Sequence, residues 1–129
     1  MIMHAAGSYT ISQWDEKTFR TLETGGKLTR ATVTATFTGD WSGEGVADYV
    51  MAYRPDDSAE YTGVQWVRGT LGGRSGEIAL QLIGKFEQGI ASATWTVVTA
   101  TGELAGLRGT GGFSAGHGMT ADYTLDYDQ

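Results

Sequence analysis

The sequence predicts a closed eight-stranded antiparallel β-barrel, one domain over residues 1–129. Three observations predict it. Apolar and polar residues alternate in short runs from end to end, which is the period of a strand with one face buried. Twenty glycines stand against a single proline, with threonine abundant and asparagine absent, the composition of many strands joined by tight turns. One hairpin also sets its own register through a Gly-Gly turn. A run of consecutive antiparallel strands can close or split into a sandwich, and closure is preferred because it leaves no strand edge exposed.

The strands are expected at 7–14, 28–38, 43–54, 58–71, 74–86, 89–99, 109–116 and 119–127. Between the first two lies D-E-K-T-F-R-T-L-E, the one stretch that reads as a helical turn, short and without a broad apolar stripe. In the second strand Ala31, Val33, Ala35 and Phe37 share a face opposed by Thr32, Thr34 and Thr36. The third is ambiguous. If Arg54 closes on Asp57 across Pro55-Asp56, then Glu44, Val46, Asp48 and Val50 point inward; a one-residue change in that loop sends them out and Tyr49, Met51 and Tyr53 in.

The fourth and fifth strands are the best determined. A two-residue turn at Gly72-Gly73 pairs Leu71 with Arg74, and this sets Arg68 opposite Glu77 and Glu60 opposite Lys85. Tyr61, Gly63, Gln65, Val67 and Gly69 then face inward with Ile78, Leu80, Leu82, Gly84 and Phe86. A turn at Glu87-Gln88 carries the pattern on and adds Ala93, Trp95 and Val97. In the eighth strand Met119, Ala121, Tyr123, Leu125 and Tyr127 oppose Thr120, Asp122, Thr124 and Asp126.

Composition excludes several function classes. With no cysteine there are no disulfides, thiolate nucleophiles or cysteine-ligated metals. A net charge of −6 with nine scattered basic residues is unsuited to nucleic acid or to an anionic membrane. The start M-I-M-H-A-A-G lacks a signal-peptide pattern, and no apolar run approaches the ~18 residues of a membrane helix. A cytoplasmic location is expected. His4 and His117 are the only histidines, both read as solvated, so a metal would need carboxylate help and none is expected. No cofactor motif or nucleophilic triad is present.

The run T-G-E-L-A-G-L-R-G-T-G-G, with its partial echo of V-R-G-T-L-G-G-R-S-G, lacks the spacing and the strand-helix context of a phosphate loop. It reads as a corner held by a Glu103–Arg108 pair. Glu44, at the start of its strand and therefore near a rim, is a candidate general acid/base, because desolvation there would raise its proton affinity; for Asp48 a solvated acidic face is the better reading. Gln65 is an amide facing an apolar lining, where an unmet hydrogen bond costs about 1–3 kcal/mol. Tyr61, Trp95 and Tyr123 are core first, yet an eight-stranded barrel can also hold one small ligand. Small inward residues at Gly63, Gly69, Gly76, Gly84, Ala91 and Ala93 leave room for it.

Taken together, G-D-W-S-G-E, A-E-Y-T-G, G-T-L-G-G-R-S-G, G-E-L-A-G-L-R-G and the closing L-D-Y-D resemble a bacterial family of small barrels, domain-of-unknown-function family 3224. The resemblance runs over nearly the whole chain. It implies a fold similar to allene oxide cyclase, a calycin-like barrel that shapes an unsaturated epoxide in an apolar interior; likeness of fold does not establish cyclisation. Glu44 and Arg74 match the family pattern. Where that pattern often has an acid and a histidine, this chain has Gln65 and Leu82, which cannot exchange protons at neutral pH. The V-V-T-A-T before Gly102 is shorter than the loop usual there.

The leading functional reading is therefore a barrel that binds a small apolar molecule through Gln65, Leu80, Leu82, Trp95, Tyr123 and Arg74, oriented by Gln65, Tyr61 and Glu44, without chemistry. The second is a cyclase or isomerase in the same lumen, with Glu44 and Tyr61 as the catalytic pair and a contoured pocket supplying the rest. The third is a filled barrel that forms a homo-oligomer through its threonine-rich outer face or through Trp41 and Trp66.

Overall fold

The computed structural model describes residues 1–116 and 120–129. The strands are β1 (Met3–Thr21), β2 (Lys27–Gly39), β3 (Trp41–Tyr53), β4 (Ala59–Leu71), β5 (Arg74–Glu87), β6 (Ile90–Ala100), β7 (Arg108–Ala115) and β8 (Thr120–Asp128). Each pairs antiparallel with the next, and β8 pairs back on β1, so the hydrogen bonding of the single sheet runs in a ring. The expected His117 turn and the inward Met119 lie outside the described residues.

The largest departure from expectation is β1. Its 19 residues run through Asp15–Thr21 as strand, pairing down to Thr21↔Lys27, where a helical turn was the alternative. Two register shifts make this workable, one between Ile11 and Gln13 and one between Thr18 and Arg20. The first, at Ser12, reverses the alternation. Trp14 thereby comes opposite the buried Val33 and Glu16 opposite the buried Ala31, and cross-strand partners share a face.

Parity in β3 is settled by its loop. Tyr53 pairs with Ala59 across a five-residue turn, Arg54 N–H donates to the Ser58 carbonyl at 2.8 Å, and Asp57 sits at φ 69°. Tyr49 and Met51 consequently face in, while Glu44 and Val50 are exposed. The β4–β5 hairpin has the expected register, with Gly72 and Gly73 at φ 60° and 81°. The charges it juxtaposes find other partners: Glu60 pairs with Arg54, Lys85 with Glu87, and Glu77 accepts from Trp66 Nε1.

The β5–β6 turn lies one residue later than expected, at Gln88-Gly89, because Gly89 rather than Glu87 tolerates the positive φ of 76°. The pairing therefore shifts by two residues, which preserves the faces, and Ala93, Trp95 and Val97 still point in.

Candidate functional site

At one end the interior of the ring is filled by aromatic side chains, and the hollow of about 270 Å³ beside Leu71, Arg74 and Tyr127 lies outside them. Phe37, Trp41, Trp95 and Tyr123 lie with ring centroids 4.9 to 6.3 Å apart, mixing tilted and edge-to-face contacts. The Tyr123 hydroxyl ties this end together, accepting from Trp41 N–H at 3.0 Å and lying 2.9 and 2.8 Å from the Thr38 and Trp41 carbonyls, one of which receives its proton. Leu104 and Leu107, both buried, come from the glycine-rich corner.

That corner is a corner and no cradle. Residues Gly102–Leu104 form a short 3-10 turn, with Gly102 and Gly106 at φ 65° and 84°. Glu103 does not pair with Arg108 as expected; its carboxylate accepts from Ser75 N–H at 3.0 Å, and Gln129 Nε2 donates to the Glu103 and Ala105 carbonyls. Backbone donors and acceptors at a strand junction are nearer and fixed, whereas an Arg108 side chain would have to be ordered to reach across.

The other end holds a cavity of about 300 Å³. Its wall is aromatic and aliphatic, built from Tyr9, Trp14, Tyr49, Met51, Tyr53, Tyr61, Phe86 and Phe113, with Ile11, Ala91, Ala115, Gly116, Thr120 and Ala121 completing it. Tyr49 and Tyr61 lie 5.3 Å apart and Trp14 is 6.3 Å from Tyr49. Tyr61 donates to the Ser92 carbonyl at 3.0 Å. Among the described residues no hydrogen bond reaches the hydroxyl of Tyr9 or Tyr49. Burial pushes all three phenols far above their ordinary proton affinity, and the neighbouring Tyr49 and Tyr61 add to the effect at Tyr9. They are neutral at any physiological pH.

At the rim, Glu16 accepts from Thr29 Oγ1 and from the Tyr53 hydroxyl, each at 2.7 Å, and from Trp14 Nε1 at 3.0 Å. Burial alone would raise its pKa; the hydrogen bonds from Tyr53, Thr29 and Trp14, with Lys27 nearby, outweigh burial and hold it below the usual carboxylate range. Burial and the Glu16 carboxylate together raise Tyr53. Sequence reasoning missed this cluster, because the bulge that turns Glu16 inward leaves no signature in alternation. The signal that existed was the run of strand-compatible residues through Thr18 and Phe19.

Of the residues singled out from sequence, Tyr61 lines the cavity. Gln65, Leu80, Leu82, Trp95 and Tyr123 face the interior as expected, but they are packed at 0–2% exposure and do not line it. Gln65 Oε1 is buried without a partner, as are Trp41 Nε1 and Trp95 Nε1. Glu44 requires correction: it is exposed on the outer face opposite Arg68, because the five-residue β3–β4 loop sets the parity. Asp48, also outward, is held below the usual carboxylate range by the hydrogen bond from Arg30, 2.6 Å away, and by Thr32. Arg74 stands exposed at the solid end, bonded to Gln129.

The expected room at inward glycines is mostly taken. A side chain on Gly63 would strike the Asp48 carbonyl at 2.0 Å, and one on Gly84 the Tyr61 ring at 2.5 Å; these glycines admit neighbours closely rather than leaving space. Of that set only Ala91 borders the cavity. Trp41, expected outside, is fully buried, whereas Trp66 is 37% exposed. Among the described residues no group of three or more His, Cys, Asp or Glu could hold a metal, and no helix is long and apolar enough to cross a membrane.

A search of curated proteins found no match. A solved structure of a protein with unknown function from the DUF3224 family of Shewanella oneidensis is similar at 25% identity, with 99% of this chain and 98% of that one covered and a TM-score of 0.84. The family model described as "Protein of unknown function (DUF3224)" matches residues 5–127. A match over that span, joined to the ring of eight antiparallel strands, places the chain in the DUF3224 family.

Proposed function

We propose that the ring is a closed barrel, allene oxide cyclase-like in fold, whose open end binds a small and largely apolar molecule without transforming it. The observation that carries this reading is the cavity of about 300 Å³ with unpartnered Tyr9 and Tyr49 hydroxyls set in an apolar wall. Its size is at the lower end of small-molecule sites, and its build, apolar with few converging polar groups, is theirs. Two rigid phenols supply orientation, replacing Gln65 and Glu44 in that role. Thermal shift and native mass spectrometry against terpenoids, fatty acids and polyketide-like compounds test it. Ala91→Phe, which fills the cavity, abolishes any shift; a shift that survives this substitution, or none with any compound, overturns the reading.

A cyclase or isomerase in the same cavity is the alternative. It would use the Tyr9 or Tyr49 hydroxyl to polarise a carbonyl or epoxide oxygen, in place of Tyr61, whose one proton is given to the Ser92 carbonyl. Turnover of an unsaturated substrate that Tyr9→Phe or Tyr49→Phe removes, with the fold intact, is its test. A homo-oligomer is favoured by a separate observation, the exposed outer cluster of Val46, Val50, Val64, Trp66 and Ile83 on adjacent strands β3, β4 and β5. Light scattering that shows a monomer at high concentration removes it.

A further inference from the structure

Just behind the wall of the open end an inward-turned carboxylate, Glu16, is bonded to two of the aromatic side chains that form that wall. Glu16 is fixed by Thr29, which is 1% exposed, and by Trp14 and Tyr53, both of which line the cavity. Glu16 is not itself a lining residue; its negative charge stands behind the wall, bonded to the Trp14 and Tyr53 groups that line the cavity. Trp14, Tyr49 and Tyr61 follow one another around the same wall at 6.3 and 5.3 Å.

A second, independent observation concerns Lys27. Its Nζ sits 5.0 Å from the centroid of the Tyr53 ring, so this rim already holds a cation against an aromatic face. None of the described residues lining the cavity carries a charge. The negative face of an aromatic ring attracts a cation, and the attraction grows when the pair is desolvated.

We infer that the open end selects an organic cation, a methylated ammonium or amine on a small hydrocarbon body, with the charge against Trp14, Tyr49 and Tyr53 beside Glu16 and the body toward Tyr9 and Phe113. The inference rests on the reading of this cavity as a binding site, and it narrows the ligand class. Fatty acids and other carboxylates are the class it disfavours.

The test is calorimetric titration of the whole protein, at low salt, with benzyltrimethylammonium, with its neutral carbon isostere neopentylbenzene, and with 4-tert-butylbenzoate. The cation binds at least tenfold tighter than the isostere and the benzoate binds weakest. Glu16→Gln reduces the preference for the cation severalfold and leaves the isostere unchanged. Trp14→Leu, at a ring already 42% exposed and thus safe for folding, does the same. Lys27→Met removes the resident cation and strengthens ammonium binding. Equal or tighter binding of the isostere or the benzoate overturns the cation inference and leaves an apolar binding site standing; binding of none of the three overturns both.

Discussion

At the Trp41 end of the ring, rings touch rings; at the Tyr49 end, rings stand around a space. Both ends draw on the same residue types, and inward β2 and β3 positions contribute to each. The difference lies in what crosses the interior. At the solid end Trp41 and Trp95 project across it, and the corner residues Leu104 and Leu107 pack there as well. At the open end two of the tyrosines are held against the wall by their hydroxyls, Tyr61 by its bond to the Ser92 carbonyl and Tyr53 by its bond to Glu16, while Tyr9 and Tyr49 pack by their rings against Phe37, Phe113, Trp14 and Tyr61. A tyrosine whose hydroxyl is anchored at the wall cannot swing in to fill the middle. Close packing therefore lies at one end and the unfilled space at the other.

Substitutions can break or sharpen that contrast. Trp95→Ala should have the largest effect, a loss of about 3–5 kcal/mol in denaturant unfolding, since a buried indole is removed from close packing with little room for collapse. Tyr123→Phe comes next: it strips a hydroxyl that serves Trp41 N–H and a carbonyl, and the orphaned buried groups should cost roughly 1–3 kcal/mol by the same assay. Ala91→Phe at the open end should change stability by less than about 1 kcal/mol, because it adds apolar volume to a space that already exists. A large loss there would mean the cavity is smaller than described, and the contrast between the ends would fail.

The remaining predictions concern charge. Glu16 has a lowered pKa, so its share of stability is present above the ordinary carboxylate pKa and is lost as pH falls through the lowered one. Urea titrations across that acidic window should show the wild type losing stability faster than Glu16→Gln, while the two respond alike near neutrality. Glu44→Gln should be the quietest change, within about 0.5 kcal/mol and without effect on ligand binding, as expected of an exposed outer residue. A marked effect on binding would restore Glu44 to the site and displace the open end as its location.

Alternation was readable where a strand's two faces differ cleanly. Ala31 through Phe37, Ala121 through Tyr127 and the hairpin around Gly72-Gly73 face as their pattern implies, since period two leaves only the choice of which set is buried. Where both sets were plausible, as with Glu44 and Asp48 against Tyr49 and Met51, local sequence had no means of choosing. A loop of one residue more or less decided it. Family membership was legible too, carried by motifs such as G-T-L-G-G-R-S-G and G-E-L-A-G-L-R-G over nearly the whole chain.

By itself, then, the sequence determined eight antiparallel strands, most of their faces and the family, because these follow from local periodicity, turn chemistry and motif. Only tertiary structure decided that Trp41 is a plug, that Gln65, Trp95 and Tyr123 belong to a packed interior, and that Glu16 joins Tyr53 at an aromatic rim. Those outcomes depend on a bulge at Ser12 and on which side chains meet across the ring. Such meetings join residues far apart in the chain, Tyr123 with Trp41 and Tyr61 with Ser92, and no local pattern encodes them.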